Sequence, residues 1–416
     1  MFEQNRKNFI DKMKPNTVAL FYSGKTIIKS ADQTFPFEVN RNFYYLTGIN
    51  QPNVILLLTK NAHHCQTFLF LEESDPQKVL WDGDLLSFSA ASQMAKIALT
   101  NVKKIQFFHS FLFQMINPLR NSANFDIDGF YFDLSRQNQA QQANSWALTF
   151  CQKLLSSYPF LKIYNSSLFF MSLRQAKSVY EVNNIKKAIS INCQALHKVI
   201  TSLKPLMYEN QITAIFHGFL EANQTKPSFD SITASGKNAL ILHYNRNNSQ
   251  LMPNELLLID AGVTYNHYSS DITRCYPISG VFTTLQKQIY NLVLKANKEI
   301  IAWVKPEHTF TQLNHYGKTI LAKGLKELGL LEDVANIDQY CYHGLGHHLG
   351  LDIHDVCNYS DIIGENSVIT VEPGLYFKQF NIGIRIEDNL LITKDGAINL
   401  SHQIPKEITE IQALMK

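Results

Sequence analysis

The sequence predicts an α+β layer fold in two domains. Three observations lead there. The chain has 416 residues, enough for two domains with separate cores. Its first part alternates short apolar runs with helical patterns. Its second part opens on helices and closes on short strands, an order that does not build a parallel doubly wound sheet.

In the first part, Thr17–Tyr22, Asn53–Thr59 and Gln66–Phe70 read as buried strands, and Phe107–His109 as the end of another. Ala91–Ile97 and Phe111–Pro118 read as helices, and a helix gives way to a short strand across Leu154–Tyr164. The boundary falls near Phe169–Met171, dividing the chain into 1–170 and 171–416. From there SLRQAKSVYEVNNIKKAISINCQALHKVI sets Val179, Ile185, Ala188, Ile189, Cys193, Leu196 and Val199 at helical spacing, so one long helix opens the second domain. Further helices are expected at Glu209–Asn223, Thr284–Val304 and Thr311–Leu328. Strands are expected around His243, Asp260 and Asp271 and from Ser367 to Thr393.

Composition narrows the function. A net charge of +3 leaves no nucleic-acid footprint. Six cysteines (Cys65, Cys151, Cys193, Cys275, Cys341, Cys357) lack CxxC spacing and read as reduced thiols. The start, MFEQNRKNFIDKMKPN, has no apolar stretch of a secretion signal, and no run is long enough to span a membrane. A cytoplasmic protein is expected.

The chemistry gathers in the second part. Asp260, Asp271, His347, Glu372 and Glu387 stand in LLLIDAG, SSDITR, HGLGHHLG, ITVEPGLY and GIRIED. Carboxylates among apolar neighbours must be paired or metal-bound, because burying one alone is costly. Asp260 ends one strand and Asp271 begins the next, so a hairpin can bring them together; taken alone, they read more readily as a turn and a strand-end residue, and the other three groups reverse that preference. His343 and His347 are four apart, but Gly344 stands where a zinc-helix motif needs glutamate, and the surrounding glycines predict a loop. Period-two alternation sets Arg385 and Glu387 on one strand face. Four carboxylates and one imidazole suit hard or borderline divalent metals, which points to a two-metal hydrolase.

These motifs in this order resemble the aminopeptidase P and prolidase family. The likeness extends to SADQTFPFEVNRNFYYLTGINQPNVILLL, which is similar to that family's N-terminal domain. The resemblance implies a pita-bread catalytic domain preceded by a smaller α/β domain. It implies two divalent ions, Mn²⁺ foremost with Co²⁺ and Zn²⁺ compatible. Asp271 and Glu387 would bridge them, Asp260 would chelate one, and His347 and Glu372 would hold the other. The family's substrate-side histidines map to His243, His343 and His354, Arg385 also matches, and Tyr376 matches and is expected as an apolar wall of the proline pocket. The implied reaction is hydrolysis of an N-terminal Xaa-Pro bond, with His354 on the oxyanion, His243 orienting the proline side and Glu372 moving the proton. The alternatives are an Xaa-Pro dipeptidase and a non-catalytic peptide-binding module. The partners implied are peptides with proline second and further copies of the chain, in a dimer or tetramer. One departure is the short FKQFN connection after Tyr376, where many aminopeptidases P carry an insertion.

Overall fold

The computed structural model describes residues 1–117, 119, 125–135 and 145–416. Pro118, the last residue of one expected helix, lies outside the described residues. The chain divides into two compact units, Met1–Leu173 and Arg174–Lys416. Phe169–Met171 lie inside the helix Ser167–Gln175.

The first unit is built on a six-stranded mixed sheet. Its spatial order is Val102–Lys104, Cys65–Leu71, Ile55–Lys60, Thr17–Tyr22, Gly129–Phe132, Lys162–Asn165. The three strands Thr17–Tyr22, Ile55–Lys60 and Cys65–Leu71 pair antiparallel in sequence, and the outer pairings are parallel. Alternate residues Val18, Leu20, Leu57, Phe68, Phe70, Phe130 and Phe132 share one core with Phe108, Leu112 and Met115. The expected strand end at Phe107–His109 is corrected. The strand stops at Lys104, a 3₁₀ turn covers Ile105–Phe107, and the helix Phe108–Ile116 begins there. The reason is spacing: Phe108, Leu112, Met115 and Ile116 form a buried helical stripe that outweighs the β-propensity of the aromatic run.

The second unit packs four long helices (Val179–Ser202, Glu209–Ala222, Thr284–Trp303, Phe310–Glu327) against small antiparallel sheets. Ile232–Ser235, Leu256–Ala261 and Ile272–Pro277 form one sheet; Val368–Val371, Asp388–Thr393 and Gly396–Asn399 form another. Every residue of Leu256–Ala261 is buried. Gly374–Phe377 and Ile382–Arg385 make a hairpin, closed by the 3₁₀ turn Lys378–Phe380 and left-handed Asn381. This is how the short FKQFN connection folds.

Two expectations for this unit are corrected. The long helix begins at Val179, not at the start of SLRQ, because Ser178 caps it: its hydroxyl meets the Glu181 N–H while Glu181 accepts from the Ser178 N–H. Val179, in the first turn, is consequently 78% exposed and outside the core. Around His243 there is no strand; residues 241–250 are irregular up to a bridge between Gln250 and Tyr208.

Candidate active site

The sheet register assembles the acids. Asp260 stands opposite Thr273 on the neighbouring strand, and Asp271 immediately precedes that strand. Glu372 follows Val368–Val371, and Glu387 precedes Asp388–Thr393, which pairs with it. The sequence HGLGHHLG crosses above them as a loop. Gly346 is needed there because a Cβ would overlap the Thr370 carbonyl. The structure therefore brings all ten expected site residues near one place. Asp260, Asp271, His347, Glu372, Glu387, Arg385, His243, His343 and His354 line a cleft of about 430 Å³. Tyr376 lies behind it, with its hydroxyl 2.9 Å from His343 Nε2.

His347 Nε2 is 3.4 Å from Asp271 Oδ2 and 3.6 Å from Glu372 Oε1. Its Nδ1 donates to the His348 carbonyl (2.9 Å), and its backbone N–H donates to Thr370 Oγ1 (3.1 Å). Asp271 is pinned by Asn389, which accepts from its N–H (3.1 Å) and donates to its carbonyl (2.6 Å). Thr273 Oγ1 donates to Glu387 Oε2 (2.7 Å) and accepts from Arg385 Nε (3.0 Å). Arg385 also bonds Asp260 Oδ2 and donates to the Tyr376 hydroxyl (2.9 Å). That hydroxyl donates onward to His343 Nε2, and His343 Nδ1 donates to the Gly344 carbonyl (2.7 Å). Both ring nitrogens of His343 are thereby engaged. Burial and nearby Arg385 push its pKa down to about 4, so the ring is neutral.

The acids behave as a crowded set. Burial, opposed by Arg385 and reinforced by Asp271 and Glu372, raises Asp260 to about 7. Burial and the neighbouring Asp271, Glu372 and Asp260 raise Glu387 well above the carboxylate range. Burial also raises Glu372, against the pull of His347 and Arg385. Burial works against charge on His347, yet Asp271 and Glu372 outweigh it and push the imidazole up to about 9.

This donor set fits a divalent cation. One ligand atom each from Asp271, His347 and Glu387 lies within 4.8 Å of the others. Asp260 Oδ1 is buried with no hydrogen-bond partner among the described residues. His347 is held through Nδ1, leaving Nε2 towards the acids, as a metal-ligating histidine requires. Acids that raise one another's pKa and favour the charged form of the adjacent imidazole are a set that a bound cation would neutralise.

Sequence reasoning did not find Thr273, Thr370 and Asn389, which orient the acids and His347, nor Phe310, Asn314 and Tyr359, which line the cleft. Thr273 carried a usable signal: it lies two residues from Asp271 in the strand and therefore faces the same side.

A buried carboxylate–imidazole cluster in an open cleft defines the class of the protein as a metallohydrolase. The comparisons give the family. Residues 183–394 match metallopeptidase family M24, and residues 2–123 match the aminopeptidase P N-terminal domain. The chain belongs to family M24, with the pita-bread catalytic fold. Xaa-Pro aminopeptidase of Haemophilus influenzae is 35% identical over 100% of this chain and 96% of its own. The Escherichia coli Xaa-Pro aminopeptidase is 30% identical over 100% and 97%. A solved structure of aminopeptidase P from E. coli superposes with a TM-score of 0.89 at 29% identity, covering 100% of this chain and 97% of that one.

Proposed function

We propose that this metallo-exopeptidase hydrolyses the N-terminal Xaa-Pro bond of peptides and releases the first residue. The observation that carries the reading is the cluster of Asp271, His347 and Glu387, with Asp260 and Glu372 beside it, in the cleft that also presents His243 and His354. The relatives named above are Xaa-Pro aminopeptidases, which favours this activity over an Xaa-Pro dipeptidase or a non-catalytic binding module.

Asp260, Asp271, His347, Glu372 and Glu387 would hold two divalent cations, Mn²⁺ by preference and Co²⁺ or Zn²⁺ by compatible chemistry. When bound, such cations lower the pKa of water and offer a Lewis-acid contact to the scissile carbonyl. The residues of the chain do the rest. Glu372 takes the water's proton on a carboxylate oxygen and delivers it to the proline nitrogen as the C–N bond breaks. That delivery is essential because the proline amide nitrogen has no hydrogen of its own. His354 faces the cleft with its ring 4.2 Å from that of His347, and donates to the developing oxyanion. His243 orients the proline side of the peptide. Arg385 and Tyr376 hold Asp260 and His343 in place.

Other features follow the same reading. We assign the N-terminal domain to 1–170 and the catalytic domain to 171–416. The six unpaired thiols support a reducing, cytoplasmic setting. Among the described residues no helix is long and apolar enough to cross a membrane. Leu80 and Trp81, each 85% exposed on the helix Pro76–Asp82, support a homo-oligomer, which light scattering will size as a dimer or tetramer.

The test sets an Xaa-Pro dipeptide beside an Xaa-Pro-Xaa tripeptide, with Mn²⁺ and with chelator. Cleavage of the tripeptide after its first residue, abolished by chelation, is expected. Cleavage of the dipeptide alone would replace this reading with a dipeptidase. No cleavage of either, with metal bound, would replace it with a binding module.

A further inference from the structure

Residues 241–250 carry His243 without helix or strand, so their order has to come from hydrogen bonds made elsewhere. Part of that order traces to one carboxylate, which reaches the segment at two residues, Tyr244 and Ser249. Glu209 is the first residue of the helix Glu209–Ala222 and is 0% exposed. Its Oε1 accepts from Ser235 N (2.7 Å), Ser235 Oγ (2.8 Å) and Asn238 Nδ2 (2.9 Å). Its Oε2 accepts from the Tyr244 hydroxyl (2.8 Å) and Ser249 N (2.9 Å). These five donors bracket His243 along the chain, on two residues before it and two after. Tyr244, the next residue, is buried, while His243 is turned out to line the cleft. The backbone repeats the tether, because Glu209 N–H donates to the Ser249 carbonyl (3.0 Å).

We propose that Glu209 is the positioning residue of His243: it ties both arms of the loop to a rigid helix end and so sets where the imidazole meets the peptide. The proposal rests on the reading of His243 as a substrate-orienting group. An apolar side chain would fill the same space, but only a carboxylate offers acceptors to donors arriving from both sides of the loop. Glutamine is the informative substitute. It keeps the size of Glu209 but turns one acceptor oxygen into an NH₂ group, which faces either Tyr244 and Ser249 or Ser235 and Asn238 as donor against donor.

The experiment is a double-mutant cycle on the full-length, metal-loaded enzyme with an Xaa-Pro-Xaa tripeptide. Metal content is measured by elemental analysis alongside kcat and KM. Glu209→Gln is expected to lower kcat/KM about 100-fold, the cost of misplacing a site group by an ångström, with metal content unchanged. Tyr244→Phe, which removes a single donor, is expected to lower it about tenfold. Combined with His243→Ala, neither is expected to add more than about twofold to the loss from His243→Ala alone, because a residue acting through His243 has nothing left to act on. Losses that multiply in the double variant, or metal content that falls with activity, would overturn the proposal in favour of general structural support. If His243→Ala is crippled while Glu209→Gln and Tyr244→Phe match wild type, the role of His243 stands and the positioning role falls. If His243→Ala itself turns over as wild type, the reading of His243 fails and takes the proposal with it. Should Glu209→Gln not fold, Tyr244→Phe completes the same cycle, and the same outcomes support or overturn the positioning role.

Discussion

Arg385, Tyr376 and His343 form a line of donors with one direction. Arg385 donates to the Tyr376 hydroxyl, which donates to His343 Nε2, and His343 donates its one N–H, on Nδ1, to the Gly344 carbonyl. The line fixes the His343 tautomer from the arginine end, which also grips Asp260. Tyr376→Phe removes the middle link and is expected to lower kcat/KM about tenfold, the value of one lost buried hydrogen bond. Steady-state kinetics on the tripeptide measure this, and an unchanged kcat/KM would detach the line from turnover. His354 makes the complementary case. It faces the cleft beside His347, and burial together with His347 lowers its pKa. His354→Ala is expected to lower kcat about 100-fold, with metal content intact; a variant with normal turnover removes His354 from the oxyanion. These acids and histidines were legible because their residue types are rare among apolar neighbours. Thr273, Thr370 and Asn389 were not, because hydroxyls and amides are common in any strand. Their meaning lies in the cross-strand neighbour: Thr273 matters because the register sets it opposite Asp260 and brings Glu387 within 2.7 Å of its hydroxyl.

At the scale of elements, the loop bearing His347 and His354 is stapled from beneath. Asp355 is buried between Arg174 and Lys177, with Lys177 Nζ at 2.9 Å, and Arg174 also meets Asp352 at 2.6 Å. The Asp355 N–H donates to the same His348 carbonyl that orients His347 (2.8 Å). Burial alone would raise the Asp355 pKa, but Arg174 and Lys177 outweigh it and hold the group at about 2 against an ordinary 3.8. A depressed carboxyl pKa contributes stability that is complete above about pH 4 and is lost as the pH falls through about 2. Asp355→Asn is therefore expected to cost about 3 kcal/mol at pH 7, at the low end for breaking a buried pair because Asp352 still faces Arg174. It is also expected to flatten the acid limb of stability. Urea titrations from pH 7 down to about pH 2 test both; a variant as stable as wild type and equally acid-sensitive would show the staple to be idle. Elements with strong periodicity, such as Thr284–Trp303, or an unbroken apolar run, such as Leu256–Ala261, were legible. The break before Val179 was not, because it turns on the reciprocal bonds of Ser178 and Glu181 at a site where apolar spacing continues unbroken. The irregular segment at His243 likewise turns on side-chain bonds, among them those of the Tyr244 hydroxyl and the Ser249 N–H to Glu209.

For the molecule as a whole, the catalytic unit encloses four carboxylates, Asp260, Asp271, Glu372 and Glu387, in one cleft. Arg385 offsets part of their repulsion through Asp260, and Arg274 braces the strand behind them by bonding the Glu387 carbonyl and Asp388. A bound divalent cation would meet the remaining repulsion. A ligand that binds only the folded state adds stability that grows with its concentration, about 2.7 kcal/mol at one hundred times its Kd. Chelation is therefore expected to lower Tm by several degrees, and added Mn²⁺ to restore it progressively. Calorimetry on the full chain, with chelator and across a Mn²⁺ series, measures the effect. Glu387→Gln supplies the control, because it removes one negative charge and one metal ligand together. In the chelated state the variant is expected to melt above wild type, since an amide there needs no proton forced onto it by the crowded acids. In excess Mn²⁺ it is expected to melt below wild type, since a ligand is lost. That crossing of two melting curves is specific to a cation seated on these carboxylates. A Glu387→Gln chain shifted the same way in both conditions would place the stabilising metal elsewhere.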